Sequence, residues 1–263
     1  MTKPPETLTI TSSPITASTE VMPGVYLTWL EAPRIAAAAM PGQFVMVRCG
    51  EETLLRRPLS IHQTDGNRLA LLFAVVGRGT EWLSRCQSGD SIDLFGPLGN
   101  GFHIPPDARS LLLVAGGIGI APLRFLADET MKQNKKVTLL YGTPDKHRYP
   151  PNLLPPGIEL VATTEDGSAG RKGRVTDLLP EFTSRADRIF ACGPAPMYHT
   201  MAAQPSLKAK SVQVSLEMRM GCGVGVCYGC TVKTKSGLKQ VCQDGPVFEL
   251  SDLDNINWDE LIL

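Results

Sequence analysis

The chain has 263 residues, room for two ordinary domains and a small appendage, and enough length to bury its own core without cross-links. Its 26 basic and 26 acidic residues cancel, which excludes a charge-driven grip on nucleic acid or on an anionic membrane surface. No apolar run approaches the length of a membrane span, and Met1–Glu6 does not have the apolar centre of a signal peptide, so the expectation is a soluble, cytoplasmic protein without membrane or nucleic-acid partners. In that setting the seven cysteines are read first as metal or redox chemistry.

From Thr7 to Pro97 the chain alternates short strand patterns with Gly and Pro: Leu8–Ile15, Val25–Leu30, Phe44–Cys49, Leu59–Gln63, Leu69–Val76 and Ile92–Phe95. Six such strands predict an antiparallel barrel, interrupted by one short helix near Thr80–Arg85. Cys49 and Cys86 read as packing residues. Within this region stands Arg57-Pro58-Leu59-Ser60, and further on Ala74-Val75-Val76 precedes Gly77-Arg78-Gly79-Thr80. An arginine can grip a pyrophosphate with two hydrogen bonds, a serine hydroxyl can bond a flavin ring nitrogen, and a glycine-opened helix start attracts anions. Each piece alone is weak, because an Arg before Pro is commonly just solvated and G-x-G-T is a common helix cap. Together, with Phe95-Gly96-Pro97-Leu98-Gly99 closing the region, they resemble the ferredoxin–NADP reductase superfamily, whose motif is R-x-[YL]-S. The resemblance implies an FAD held by Arg57, Pro58, Leu59 and Ser60, with Arg57 on its phosphates and Ser60 facing N5 of the ring. It places Ala74, Val75 and Val76 beside the flavin and leaves Gly79 and Thr80 at the helix start, Thr80 as N-cap or phosphate ligand.

From Ser110 the pattern changes. Leu111–Val114 is a continuous apolar run, as in a strand buried on both faces. A helix follows, with Leu123, Leu126, Ala127 and Thr130 on one face. Strands are predicted at Val137–Tyr141, Ile158–Ala162, Arg188–Ala191 and Val212–Leu216, with helices near Thr176–Phe182 and Met197–Gln204, which makes a parallel sheet with helices on both faces. Tyr149–Pro156 reads as a stiff loop. Between the first strand and its helix lies Gly116-Gly117-Ile118-Gly119-Ile120-Ala121-Pro122, a glycine-rich turn in the context that makes a phosphate cradle. Pro122 is tolerated in the helix's first turn. No acidic residue ends the second strand, unlike a Rossmann fold, and G-G-x-G-x-x-P is the reductase form. Cys192-Gly193-Pro194-Ala195-Pro196-Met197 resembles that superfamily's C-G-P-x-x-M, which places Cys192 near the nicotinamide and Gly193-Pro194 as the turn beneath it; read by itself, it is a buried cysteine before a helix-starting proline. Thr164–Gly167 is expected to border the dinucleotide. With no Ser/Arg pair clearly set for a 2′-phosphate, NAD is favoured over NADP, although Lys146, His147 and Arg148 follow the second strand.

The strongest signal is Cys222-x4-Cys227-x2-Cys230, with Cys242 eleven residues further on. This spacing is that of plant-type [2Fe–2S] ligands, and the interleaved glycines let one loop wrap four thiolates around two irons. The alternatives are a zinc site, which favours paired C-x2-C units, or disulfides. The run Leu216–Cys230 with Lys239–Phe248 resembles the electron-transfer subunits of dihydroorotate dehydrogenase B over nearly the whole chain. That resemblance implies three parts: an FAD-binding barrel (1–103), an NAD-binding α/β domain (104–216) and a [2Fe–2S] region (217–263). It also implies a partner catalytic subunit that oxidises dihydroorotate at an FMN, in a heterotetramer with two subunits of each kind, and NAD+ as the final acceptor. Other readings are a reductase subunit of a sulfhydrogenase or a glutamate-synthase-like system, or a zinc-stabilised module without activity. The tail Val247–Leu263 either docks the partner or packs over the cysteine loop. No residue reads as a general base.

Overall fold

Six strands, β1 (Thr9–Met22), β2 (Val25–Glu31), β3 (Phe44–Val47), β4 (Arg57–Asp65), β5 (Arg68–Ala74) and β6 (Ser91–Leu98), close into an antiparallel barrel in the order β1-β2-β5-β4-β3-β6. The structure is a computed structural model that describes residues 8–148 and 153–253 together with Ile256 and Trp258. Tyr149–Asn152 of the expected stiff loop and most of the extreme tail lie outside the described residues. β1 is longer than the apolar alternation alone suggests. Its first half pairs with β6, from Thr9↔Gly96 to Pro14↔Ser91, and its second half with β2, from Ile15↔Leu30 to Met22↔Val25. One polar strand thereby closes the barrel, which a local pattern cannot reveal. Ile15, Leu30, Val45, Val47, Ile61, Leu71 and Phe73 fill the interior, each such side chain contributing roughly 1.5–3 kcal/mol on burial. Two helices interrupt the barrel. α1 (Pro33–Ala38) was not expected, since six residues carry too little periodicity to read; α2 (Arg78–Ser84) begins two residues before the predicted start.

The second part runs β7 (Ser110–Gly116), α3 (Ile120–Lys132), β8 (Lys136–Thr143), β9 (Glu159–Thr164), β10 (Arg171–Lys172), α4 (Leu179–Phe182), β11 (Arg188–Cys192), α5 (Ala195–Ala203) and β12 (Val212–Ser215). The predicted helix at Thr176–Phe182 is a 3-10 turn over Val175–Leu178 followed by α4, with Pro180 near the start of the α-helical turn. The chain ends with a hairpin, β13 (Thr231–Thr234) and β14 (Gly237–Gln240), and then β15 (Val247–Glu249). The main sheet has the order β10-β9-β8-β7-β11-β12-β15, parallel throughout except for β15, which pairs antiparallel with β12. β7 is central and its Leu111–Ala115 are buried on both sides.

Helix α3 covers one face and also touches the barrel: Phe125 belongs to the barrel core, and the fully buried His62 ring sits 3.0 Å from the Ala121 carbonyl. Gln63 and Arg124 both donate to Asp128, at 3.1 and 2.9 Å. The opposite face packs on α4, α5 and the tail, where Phe248, Leu250, Leu253 and Ile256 share a core with Val212, Val214, Cys230 and Cys242. These four apolar tail residues therefore pack inward. The same core takes in Phe44, Met46 and Leu98 from the barrel, so one apolar body joins all three parts. Among the described residues no helix is long and apolar enough to cross a membrane.

Candidate functional site

The first group of predicted residues opens β4. Arg57, Pro58, Leu59 and Ser60 pair with Val47, Met46, Val45 and Phe44 of β3 and are all half-buried. At the end of β5, Ala74 and Val75 are half-buried and Val76 is 85% exposed, an unusual state for valine at the rim of a closed barrel. The guanidinium of Arg57 donates to the Leu55 carbonyl at 2.6 Å and lies across the start of α2, where a Cβ on Gly79 would fall 2.8 Å from Arg57 Nε. The two motif halves are thus one surface. Thr80 departs from expectation. It is the third helical residue, and its hydroxyl accepts from the amides of Val76 and Gly77 at 2.9 and 3.2 Å and donates to the Gly77 carbonyl. Gly77 rather than Thr80 is the N-cap, and the Thr80 side chain ties the turn together from inside.

A cavity of about 490 Å³ opens at the carboxyl ends of the parallel strands, where open α/β sheets bind ligands. Gly116, Gly117, Gly193 and Pro194 line it, with Gly142–Pro144 and the side chains of Arg148, Glu165, Arg174, Met197 and Glu217. Gly119, Pro122 and Cys192 are near it without lining it. Pro122 is buried in the first turn of α3, and Gly119 is pressed so closely on β11 that a Cβ would run into the Cys192 carbonyl. Cys192 is completely buried behind the cavity, its thiol pushed well up by burial first and by Glu217 second. The Gly193-Pro194 turn is pinned by Tyr198, whose hydroxyl accepts from the Gly193 amide at 2.9 Å and donates to the Ser215 carbonyl at 2.6 Å. Sequence reading missed Tyr198 and Glu217. Tyr198 is one residue after the expected C-G-P-x-x-M motif, and Glu217 follows the last parallel strand, where a polar residue has no periodicity to mark it.

The four cysteines of the last region are free thiols that fall into two pairs. Cys222 interacts with the Cys227 thiol, and burial, which would raise its pKa, is outweighed by the amides of Val224 and Cys227, which draw it down to about 6. Cys242 interacts with Cys230 and is driven up to about 12, by burial first and then by that thiol. Amides approach the sulfurs: Gly225 N donates to Cys242 Sγ at 3.1 Å, Val224 N to Cys222 Sγ and Cys242 N to Cys230 Sγ, each at 3.4 Å. Such donors favour thiolate and tune a bound cluster. Gly225, at φ +76°, permits this turn, and a side chain there would strike the Gln243 amide. The C-x4-C-x2-C spacing with its thiols in two pairs is the donor set of a two-iron group. The loop rests on the barrel. A Cβ on Gly223 would fall 2.7 Å from Met46 Cγ and 3.1 Å from Leu98 Cδ1, and Asn100 donates through its amide group to the carbonyls of Gln243 and Asp244, both at 3.0 Å.

Residues 217–254 match the family described as the iron–sulfur cluster binding domain of dihydroorotate dehydrogenase B, and residues 113–203 match the oxidoreductase NAD-binding domain. The dihydroorotate dehydrogenase B (NAD(+)) electron transfer subunit of Desulforamulus reducens is 42% identical over 244 residues, covering 87% of this chain and 92% of that protein. The chain belongs to the electron-transfer subunits of dihydroorotate dehydrogenase B. The electron-transfer subunit of Clostridium acetobutylicum is likewise 40% identical over 215 residues, or 81% of this chain and 85% of that one. A chain of the solved NADH-dependent reduced ferredoxin–NADP oxidoreductase, studied for flavin-based electron bifurcation, superposes with a TM-score of 0.83 at 31% identity, covering 95% of this chain and 91% of its own. As an electron-transfer subunit of this family, the protein is an oxidoreductase component with an NAD-binding domain and an iron–sulfur domain, and it works with a catalytic dihydroorotate dehydrogenase subunit.

Proposed function

We propose that this subunit carries FAD, a [2Fe–2S] cluster and an NAD site, and passes electrons from the FMN of a catalytic subunit through the cluster and FAD to NAD+ during dihydroorotate oxidation, in the cytoplasm and in a heterotetramer of two subunits of each kind. When bound, a flavin couples one-electron exchange with a cluster to two-electron hydride exchange with a nicotinamide. The observation that carries the reading is the seat of the cysteine loop: Gly223 lies on Met46, and Met46 is the β-ladder partner of Pro58 in the motif that opens β4.

The residues fit these groups. Arg57, laid across Gly79, supplies a cation for phosphate oxygens, and Ser60 supplies a hydroxyl three residues further along β4. Pro58, Leu59, Ala74, Val75 and the exposed Val76 supply apolar surface for a flat ring. Gly116 and Gly117 with Gly193 and Pro194 leave room for a dinucleotide backbone, while Gly119, Pro122 and Cys192 hold that turn in place from behind. Cys222 with Cys227, and Cys230 with Cys242, would each take one iron. The three-part division at 103/104 and 216/217 describes these roles, although β15 of the third part completes the sheet of the second.

The test is direct. The purified chain should hold one flavin, with two irons and two sulfides, per polypeptide. NADH should bleach its flavin absorption under anaerobic conditions, and the catalytic subunit should co-elute with it at the mass of a two-plus-two assembly. A colourless, zinc-loaded preparation would sink the reading in favour of a structural module.

A further inference from the structure

A buried junction lies between the flavin motif of β4 and the glycine turn before α3, and it belongs to neither. In the ladder of β4 with β5, Ile61 pairs with Leu71 and Gln63 with Ala70, so His62 is the extra residue of a β-bulge. A bulge re-aims a side chain. Ile61 joins the barrel core, whereas the fully buried His62 ring meets α3, with Nδ1 3.0 Å from the Ala121 carbonyl. A carbonyl oxygen only accepts, so Nδ1 carries the proton and donates. Nε2 has no hydrogen-bond partner among the described residues. A buried acceptor left unpaired is unfavourable, and an aliphatic side chain would fill a barrel–helix contact without one. The bond to Ala121 is what distinguishes an imidazole here from plain packing.

That bond joins two short covalent paths. His62 is two residues beyond Ser60, the last residue of the flavin motif. Ala121 is two residues beyond Gly119, which is pressed so closely on β11 that a Cβ would run into the Cys192 carbonyl. Gly193, the next residue, lines the strand-end cavity. Beside this path Gln63 and Arg124 both donate to Asp128, a half-buried second tie between the same strand and helix.

We propose that His62 is a positioning residue for electron exchange between the two cofactor sites: its bond to Ala121 holds the start of α3, and the glycine turn before it, in fixed relation to the Ser60 strand. The inference rests on the reading of these sites as those of FAD and NAD. Hydride exchange requires the two rings in near-attack geometry, and a small misplacement costs far more rate than affinity. The grip on each cofactor assigned above uses other residues: Arg57 and Ser60 on one side, Gly116, Gly117, Gly193 and Pro194 on the other. Loss of the His62 bond should therefore spare binding and impair ring-to-ring contact.

The test uses the full chain with its flavin and cluster, in three variants. His62→Leu fills the volume without a donor, His62→Asn keeps a donor for Ala121, and Asp128→Ala releases the second tie from a half-buried position that is less costly to the fold. Flavin content, NAD+ affinity by calorimetry, the long-wavelength charge-transfer absorbance that appears when NADH stacks on the flavin, and the limiting rate of flavin reduction are measured for each. His62→Leu should keep its flavin and its NAD+ affinity within about twofold, lose most of the charge-transfer absorbance and slow at saturating NADH by about tenfold. His62→Asn should recover most of both signals, and Asp128→Ala should lower them in the same sense as His62→Leu. Wild-type absorbance and rate in both His62→Leu and Asp128→Ala would overturn the proposal. So would an asparagine variant as impaired as the leucine one, or a loss of NAD+ affinity as large as the loss of rate. A wild-type chain that holds no flavin or binds no NAD+ would overturn the cofactor sites themselves, and this inference with them.

Discussion

Gly223 of the cysteine loop sits on the side chain of Met46, close enough that a methyl group there would fall 2.7 Å from Met46 Cγ. Gly223 also holds φ at +79°, a conformation that L-residues rarely adopt. Gly223→Ala therefore has two costs, steric and torsional, on the order of 1–3 kcal/mol each. The expected outcome is a folded flavoprotein with reduced iron and sulfide content, measured by colorimetric assay. Full iron content in this variant would show that the loop does not need its seat on β3.

Cys227 is exposed, so its loss should leave the apo fold within about 0.5 kcal/mol of the wild type. Cys227→Ser should nonetheless lose the cluster and block electron flow from the catalytic subunit. Reduction of the flavin by NADH should continue, because the barrel and the strand-end cavity do not use this thiol. Stopped-flow reduction in both variant and wild type checks the separation, and its loss in a chain with normal flavin content would contradict it.

Arg57 lies between the two motif halves. Removing a charge-assisted pair of hydrogen bonds costs roughly 1.5–3 kcal/mol, so Arg57→Ala should weaken FAD retention by about ten- to a hundredfold. Arg57→Lys should recover only part, since a point charge cannot form the two-pronged contact. The readout is flavin released on gel filtration; unchanged flavin content would remove Arg57 from the phosphate role.

His62 gives the fold a pH dependence. Its ring is fully buried, with Nδ1 donating to the Ala121 carbonyl and Nε2 unpartnered, and burial lowers its pKa to about 3 from an ordinary 6.5. The folded form thus keeps the ring neutral while the unfolded chain takes up a proton below pH 6.5. The associated stability is fully present above pH 6.5 and is lost as pH falls towards 3, by an amount on the order of a few kcal/mol. Urea melts of His62→Asn, whose amide can still donate to Ala121, should show a shallower decline across that window than wild type. Parallel curves would mean that the ring is already protonated or solvated in the native state.

Much of this molecule was legible because its signals are local. The Arg57–Ser60 motif, the glycine turn at Gly116–Pro122 and the cysteine spacing each occupy a few consecutive residues with fixed chemistry, and the structure places each at the end of a strand or in a tight loop. What stayed hidden depends on pairing between distant segments. The polar second half of β1 is a strand only because β2 lies beside it, and β15 is one because β12 leaves an edge free. Thr80 stands two residues inside the helix rather than at its cap because its hydroxyl bonds backbone amides within its own turn, and Glu217 escaped notice because its neighbour in the cavity wall is Cys192, 25 residues earlier.

The pairing of Ser215 with Val247 has a further consequence. The whole cysteine excursion leaves the sheet and returns to it at neighbouring rungs, so its neck is stapled by main-chain hydrogen bonds before any metal arrives. The four sulfurs are thereby kept at high mutual concentration in the metal-free chain. A polypeptide cut short before Val247 would keep every ligand cysteine and still lose the clasp that gathers them.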